Sequence, residues 1–335
     1  MHCKPLILLK YLIPTTLLAA ATIAIAIATA AAAAAAADAY PAKPVRIIAA
    51  VVPGSGPDII ARLIGGKLTE AWQQQIVVDN RAGAGGNVGA EIAARAAPDG
   101  YTLLMVTASQ AIAATLFPKL NYDLIRDFTP VSLLATTPYV LVVNHSAAIT
   151  SVADLITQAK ARPGALRYGS GGNGSPPHLA AEMLRSQAGI DLLHVPYKSI
   201  APALTELAAG QVHAAFSVVS AVLPLTKAGK LRALAVTSAA RTPLVPELPV
   251  IAETLPGFQF TGWYGLVAPV GTPRDIVAKL HAASAQAVKS VDIQTRLTTL
   301  GAEASSGTPQ TFAAHLRAEI QRLGKAVRDS GARAE

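Results

Sequence analysis

Three glycine-rich turns carry the residues of this sequence best placed to do chemistry, and the chemistry they suit is the holding of an anion. The first is Val52-Pro53-Gly54-Ser55-Gly56-Pro57-Asp58 and the second Asn80-Arg81-Ala82-Gly83-Ala84-Gly85-Gly86-Asn87. The third is Tyr168-Gly169-Ser170-Gly171-Gly172-Asn173-Gly174-Ser175-Pro176-Pro177-His178. Glycine lets a backbone turn sharply and approach a ligand closely. A helix beginning after such a turn offers unpaired N–H groups and the positive end of its dipole. One such turn is ordinary punctuation in an α/β protein. Three of them, two flanked by Ser or Asn, point to a site at the carboxyl ends of strands, where open α/β sheets bind ligands.

Other chemistries fit less well. Gly169-x-Gly171-x-x-Gly174 has the spacing of the dinucleotide fingerprint, but it lies deep in the chain and would leave the cytoplasm with the leader described below. Ser170 suggests a nucleophile elbow, yet that motif needs glycine two residues earlier and Tyr168 stands there. His178 and His194 are available as bases, and neither has an acidic orienter by spacing. Among His145, His178, His194 and His213 no two have the i, i+4 spacing of a helical metal pair. No catalytic residue, metal ligand or cofactor is expected. A secreted serine hydrolase using Ser170 is the remote alternative.

The turns need elements to hold them. Short β-branched runs predict strands over 45–52, 75–78, 102–107, 139–143, 192–195, 231–236 and 262–268. Helical spacing joins Ile60, Leu63, Ile64, Leu68 and Trp72 on one face. It also joins Val152, Leu155, Ile156 and Ala159 behind a start signal of Ser151 with Asp154. Pro273 and Pro309 mark two further helix starts, with apolar faces of Ile276, Val277, Leu280 and Val288 and of Phe312, Leu316, Ile320 and Leu323. Alternation of strand and helix predicts an α/β class with parallel sheets covered on both faces.

The N-terminus reads as a secretory leader over residues 1–37: Lys4 and Lys10, an apolar stretch from Leu12 to Ile27, then alanines from Ala30 to Ala37. Cleavage is expected after Ala37 or Ala39, which makes the protein periplasmic. The single cysteine, Cys3, leaves with the leader, so the mature chain has no thiol chemistry. Removing Lys4 and Lys10 lowers the formal charge from +8 to +6, a balance that suits an anionic ligand and equally serves solubility. The basic residues are scattered with no aromatic interleaving, so nucleic acid is not an expected partner. About 295 mature residues approach the size at which one core divides into two.

The residues resemble those of the Bug-type receptors of tripartite tricarboxylate transporters. The likeness rests on Tyr40-Pro41-Ala42-Lys43-Pro44-Val45-Arg46, on Pro53-Gly54 with Asp58, on the turn from Val78 to Asn87, and on Ala97-Pro98-Asp99-Gly100-Tyr101. It continues through Asp127-Phe128-Thr129-Pro130-Val131, Gly172-Asn173-Gly174-Ser175, His194-Val195-Pro196-Tyr197-Lys198, the run from Gly229 to Val236, and Ala268-Pro269-Val270-Gly271-Thr272-Pro273. The resemblance implies a type II periplasmic-binding fold with two α/β lobes and a cleft between them. Residues 38–142 and 262–335 would form a discontinuous first lobe and 143–261 the second. It implies a monomer that captures a small organic di- or tricarboxylate by hinge closure and delivers it to transporter membrane subunits. An orphan receptor presenting its ligand to a sensor is the alternative partner.

Carried over from the family, the ligand-binding positions are Gly54, Ser55, Gly56 and Asp58, then Thr107, Ala108 and Ser109. From the second lobe come Gly171, Gly172, Asn173, Gly174, Ser175, His178, Tyr197 and Lys198. Two positions depart from the pattern. Pro57 removes an N–H donor from a turn where the family usually has Ser-Thr before the aspartate. Ser217 follows Phe216 where the family commonly has Asp. A cleft without that carboxylate would disfavour a ligand ammonium and suit a plain di- or tricarboxylate; alternatively, Ser217 merely packs beside the cleft wall.

Overall fold

The computed structural model describes residues 40–333; the leader, its cleavage point and Cys3 lie outside the described residues. The strands are β1 (Val45–Ala49), β2 (Ile76–Asn80), β3 (Thr102–Thr107), β4 (Phe128–Asn144), β5 (Arg167–Ser170), β6 (Leu193–Pro196), β7 (Ala214–Val218), β8 (Leu231–Val236), β9 (Thr261–Pro269) and β10 (Glu303–Ala304). The α-helices are α1 (Gly56–Trp72), α2 (Asn87–Ala94), α3 (Ala108–Leu116), α4 (Val152–Ala161), α5 (Pro176–Ala188), α6 (Ile200–Ala208), α7 (Val219–Lys227), α8 (Arg274–Lys289), α9 (Val291–Thr299) and α10 (Pro309–Ser330).

These elements form two α/β lobes. The first sheet runs β2-β1-β3-β9-β4-β10 and the second β8-β4-β7-β5-β6. The expected parallel pairing holds for β2-β1-β3 and for β6-β5-β7. It fails at the strands that cross between lobes: β9 runs antiparallel to β3 and β4, and β4 antiparallel to β7 and β8. The sheets are therefore mixed, because a strand leaving one lobe enters the other against the local direction.

β4 is the main connector. Its first part pairs with β9 from Phe128↔Pro269 to Pro138↔Thr261, and from Tyr139 onwards it pairs with β7 and β8. Proline cannot donate to a ladder. Pro130 accordingly sits at a register shift, and Pro138 at the last pair before the strand changes sheets. At that crossing the Tyr139 N–H donates to Thr237 Oγ1 (2.8 Å) and the Phe260 N–H to Thr237 O (2.8 Å), tying both connecting strands together.

Three apolar clusters fill the molecule. One packs Ile47 and Leu103 of the first sheet against Ile60 and Ile64 of α1 and Leu280 of α8. Another packs Val140 and Ala215 of the second sheet against Leu204 and Leu207 of α6. The third is continuous through both lobes, from Val106 and Trp263 to Leu179 and Leu184, joined by Phe312, Leu316 and Leu323 of α10. A polar clasp adds to this bridge: Trp263 Nε1 donates to Glu319 (3.0 Å), and Arg322 pairs with Glu319 and donates to Gln259 O (2.9 Å).

Candidate functional site

The carboxyl ends of β1 and β3 in one lobe and of β5, β6 and β7 in the other place their following loops around a shared cleft. Two adjoining cavities occupy it. One, of about 350 Å³, lies between Ala84, Gly85, Ser109, Leu116 and Phe117 of the first lobe and Gly171, Asn173, Gly174 and Ser175 of the second. The other, of about 320 Å³, is lined by Tyr139, Gly171, Ser175, Lys198, Ser199 and Ser217 among others. Gly171 and Ser175 border both. No Asp or Glu lines either cavity, and Lys198 is the single charged residue on their walls. Lys198 is exposed and has no ion partner among the described residues.

The first turn is built around Asp58. Its buried carboxylate accepts from the Gly54 N–H (2.8 Å), Asn80 Nδ2 (2.9 Å) and Arg62 Nε (3.2 Å), and forms an ion pair with Arg62 Nη2 (3.0 Å). Burial pushes its pKa up, but Arg62, the Gly54 N–H and Asn80 together hold it below the usual carboxylate value. Asp58 is thus fully engaged in shaping the turn, and the Gly54 N–H is engaged with it. Ser55 is the N-cap of α1 yet makes no side-chain cap; its hydroxyl donates to Val52 O (2.7 Å). The opening N–H groups of α1, at Gly56 and Asp58, therefore have no intrahelical acceptor, with none at Pro57.

After β3, Thr107 serves as the N-cap of α3. Its hydroxyl accepts from the Ser109 N–H (3.2 Å), and Gln110 closes a capping box on the Thr107 N–H (2.9 Å). Ala108 is buried in the core, while Ser109 faces the cleft. The second glycine turn, from which no binding position was carried over, brings Ala84 and Gly85 to the same wall.

The third turn contributes most. Gly174 presses on Leu116 of the opposite lobe so closely that any Cβ would overlap that side chain, and its φ of +72° independently disfavours one. His178 does not line the cleft. Its Nδ1 accepts from the Gly174 N–H (3.1 Å) behind the turn. The Tyr197 ring packs over Gly169 beside Ala203 and Val212, and its backbone N–H donates to Ser170 O (3.1 Å). Ser170 Oγ lies 2.7 Å from His194 Nε2, a contact the sequence spacing did not reveal. It is no triad: Ser170 is completely buried, and the His194 ring stacks on both Tyr168 and His178 with no hydrogen bond to a carboxylate among the described residues. Burial first, then Arg185, lowers the His178 pKa to about 4. Burial and the neighbouring His178 lower His194 to about 4 against the opposing pull of Glu182.

Ser217 lies near the end of β7, is buried, and its Oγ has no hydrogen-bond partner among the described residues. Two tyrosines escaped the sequence reading. Tyr139, at the sheet crossing, lines the cleft, and Tyr264 of β9 brings its hydroxyl next to Gly56 at the start of α1. Burial pushes the Tyr264 pKa up to about 12; burial and then Tyr264 push Tyr139 higher still. Both are protonated donors at neutral pH. Their sequence signal is faint, since each sits in an apolar run that reads simply as buried strand.

A family model for the tripartite tricarboxylate transporter family receptor matches residues 60–332. BugT of Bordetella pertussis (strain Tohama I) is 37% identical over 299 residues, covering 88% of this chain and 92% of that one. Among solved structures, R. palustris Rpa4515 with adipate is 38% identical with a TM-score of 0.79, covering 88% of this chain and 99% of that one. MatC (Rpa3494) from Rhodopseudomonas palustris with bound malate is 34% identical with a TM-score of 0.75, covering 86% and all of that chain (100%).

Proposed function

The chain belongs to the tripartite tricarboxylate transporter receptor family, and from that premise we propose that it captures a small organic di- or tricarboxylate between its lobes and delivers it to transporter membrane subunits. It is a periplasmic solute-binding receptor and not an enzyme. The observation that carries the ligand class is the charge pattern of the cleft: one lysine, Lys198, and no carboxylate on either cavity wall. Such a wall attracts an anion and offers no counter-charge to an ammonium group. The donors available to the ligand oxygens are backbone N–H groups at Gly56 and Gly171, the tyrosine hydroxyls of Tyr139 and Tyr264, and the small hydroxyls of Ser109 and Ser217, while the Ser175 hydroxyl donates to Gly172 O (2.7 Å). Asp58, Thr107, His178 and Tyr197 act by shaping the loops that carry those donors. The adipate and malate complexes of the two relatives agree with this chemistry.

The unpartnered Ser217 hydroxyl is where an acid would introduce a counter-charge for an amino group. Titration calorimetry with succinate, malate and adipate against aspartate tests the reading. The dicarboxylates are expected to bind at least about tenfold more tightly than aspartate. Ser217→Asp is expected to weaken the dicarboxylates by about tenfold or more and to narrow or reverse that preference. Tighter binding of aspartate by the unaltered chain would sink the assignment.

A further inference from the structure

We infer that His178 and the Ser170–His194 pair are positioning residues for ligand capture, holding two N–H groups of the third turn from behind so that the rest of its backbone meets the ligand. This inference rests on the receptor reading above, which names the turn as a cleft wall. Gly172 and Gly174 both have positive φ, of +105° and +72°. Each turns its N–H away from the cleft onto a side chain: Gly172 onto Ser170 Oγ (3.1 Å) and Gly174 onto His178 Nδ1 (3.1 Å). The Ser170 hydroxyl is in turn held by His194 Nε2 at 2.7 Å. With His194 Nε2 accepting the hydroxyl's hydrogen bond, the oxygen keeps its lone pairs for the Gly172 N–H. The two imidazoles stack on each other with centroids 4.2 Å apart, and the Tyr168 ring stacks on His194 at 4.8 Å. Three aromatic planes thus form a rigid backing beneath a turn that otherwise consists of small residues.

This arrangement works only with neutral imidazoles. An imidazolium carries a proton on Nδ1 and cannot accept the Gly174 N–H. The surroundings keep the rings neutral. Tyr168 of β5 faces them, as do Glu182 and Arg185 of α5, which are paired with each other, and Arg333 beyond the end of α10 lines a separate cavity together with both rings. Arg185 also reaches Asp191 at 3.5 Å. The carboxylate that would favour an imidazolium, Glu182, is paired with Arg185 and accepts the Tyr168 hydroxyl as well.

The test pairs amide exchange with affinity. In His178→Leu, which keeps the bulk but has no acceptor, the Gly174 amide is expected to exchange at least about tenfold faster in the ligand-free protein, as the loss of one buried hydrogen bond implies. Adipate affinity at pH 7.5 should fall by about tenfold or more. His178→Gln supplies a carbonyl acceptor without a titratable ring and should restore affinity to within about threefold. As pH falls below about 5, the unaltered chain should lose affinity relative to His178→Gln, a comparison in which the titration of adipate itself cancels. Ser170→Ala should speed exchange at Gly172, and it perturbs packing less than the leucine variant. Wild-type affinity and unchanged glycine exchange in both His178→Leu and Ser170→Ala would overturn the inference. A wild-type chain that binds no dicarboxylate removes the receptor reading alone, because the exchange rates still decide whether the side chains hold the turn.

Discussion

The carboxylate of Asp58 faces inward, and that orientation decides what its loss would do. Removing it leaves the Gly54 N–H without its acceptor, Asn80 Nδ2 with only Val51 O (3.3 Å), and Arg62 without its ion partner. Arg62 is half exposed and can re-solvate, so the cost falls mainly on the part-buried hydrogen bonds that shape the turn. Asp58→Ala is therefore expected to lower unfolding stability by about 2 kcal/mol, read from the urea midpoint at neutral pH. An unchanged midpoint would mean that the turn does not depend on this carboxylate. The residue types at the site were largely legible in the sequence, but their directions were not. Ser109, Gly171, Asn173, Gly174, Ser175, Lys198 and Ser217 reach the cleft walls, whereas Asp58, Thr107 and His178 act from behind. Motif position cannot separate those cases. Which way a side chain points depends on partners far away in sequence, as Asn80 is for Asp58.

Helix starts were the most readable elements, because capping is local chemistry. Ser151 accepts from the Asp154 N–H (3.0 Å) and Thr308 from the Thr311 N–H (3.2 Å). The long strand β4 was half read: only 139–143 stands out as an apolar run, because Pro130, Thr136, Thr137 and Pro138 interrupt the alternation earlier. Its first half is a strand because β9 and β10 flank it, a tertiary fact that propensity cannot supply. A similar long-range demand fixes Gly265. It lies in β9 where the Phe312 ring of α10 packs directly against the backbone, and any Cβ would overlap that ring. Gly265→Ala must push α10 off the sheet or twist Phe312 from its rotamer. The expected destabilisation is about 1–3 kcal/mol, measured by thermal or urea unfolding. Because α10 spans both lobes, the variant should also bind adipate more weakly, and a fully stable variant would show that α10 is loosely seated.

At the scale of the whole molecule, β4, β9 and α10 join the lobes, and the native state depends on buried groups that must stay in one protonation state. Two windows of acid sensitivity follow. In an unfolded chain histidine titrates near pH 6.5, whereas His178 and His194 in the folded protein resist protonation until about pH 4. Between those values the unfolded chain binds more protons than the native one. Stability is therefore complete above about pH 6.5 and declines as pH falls towards 4. His178, almost wholly buried, contributes on the order of 3 kcal/mol to that decline, and the more accessible His194 contributes less. Asp58 belongs to a lower window. Its folded pKa is depressed, so its contribution persists above the ordinary carboxylate value and disappears only as pH drops through the lower folded one. Urea midpoints measured from pH 8 to pH 3 should fall in two stages, the upper one flattened in His178→Gln and the lower one in Asp58→Ala. A midpoint that stays level between pH 6.5 and pH 4 would show that the stacked imidazoles carry protons in the native protein, contrary to the acceptor geometry at Gly174.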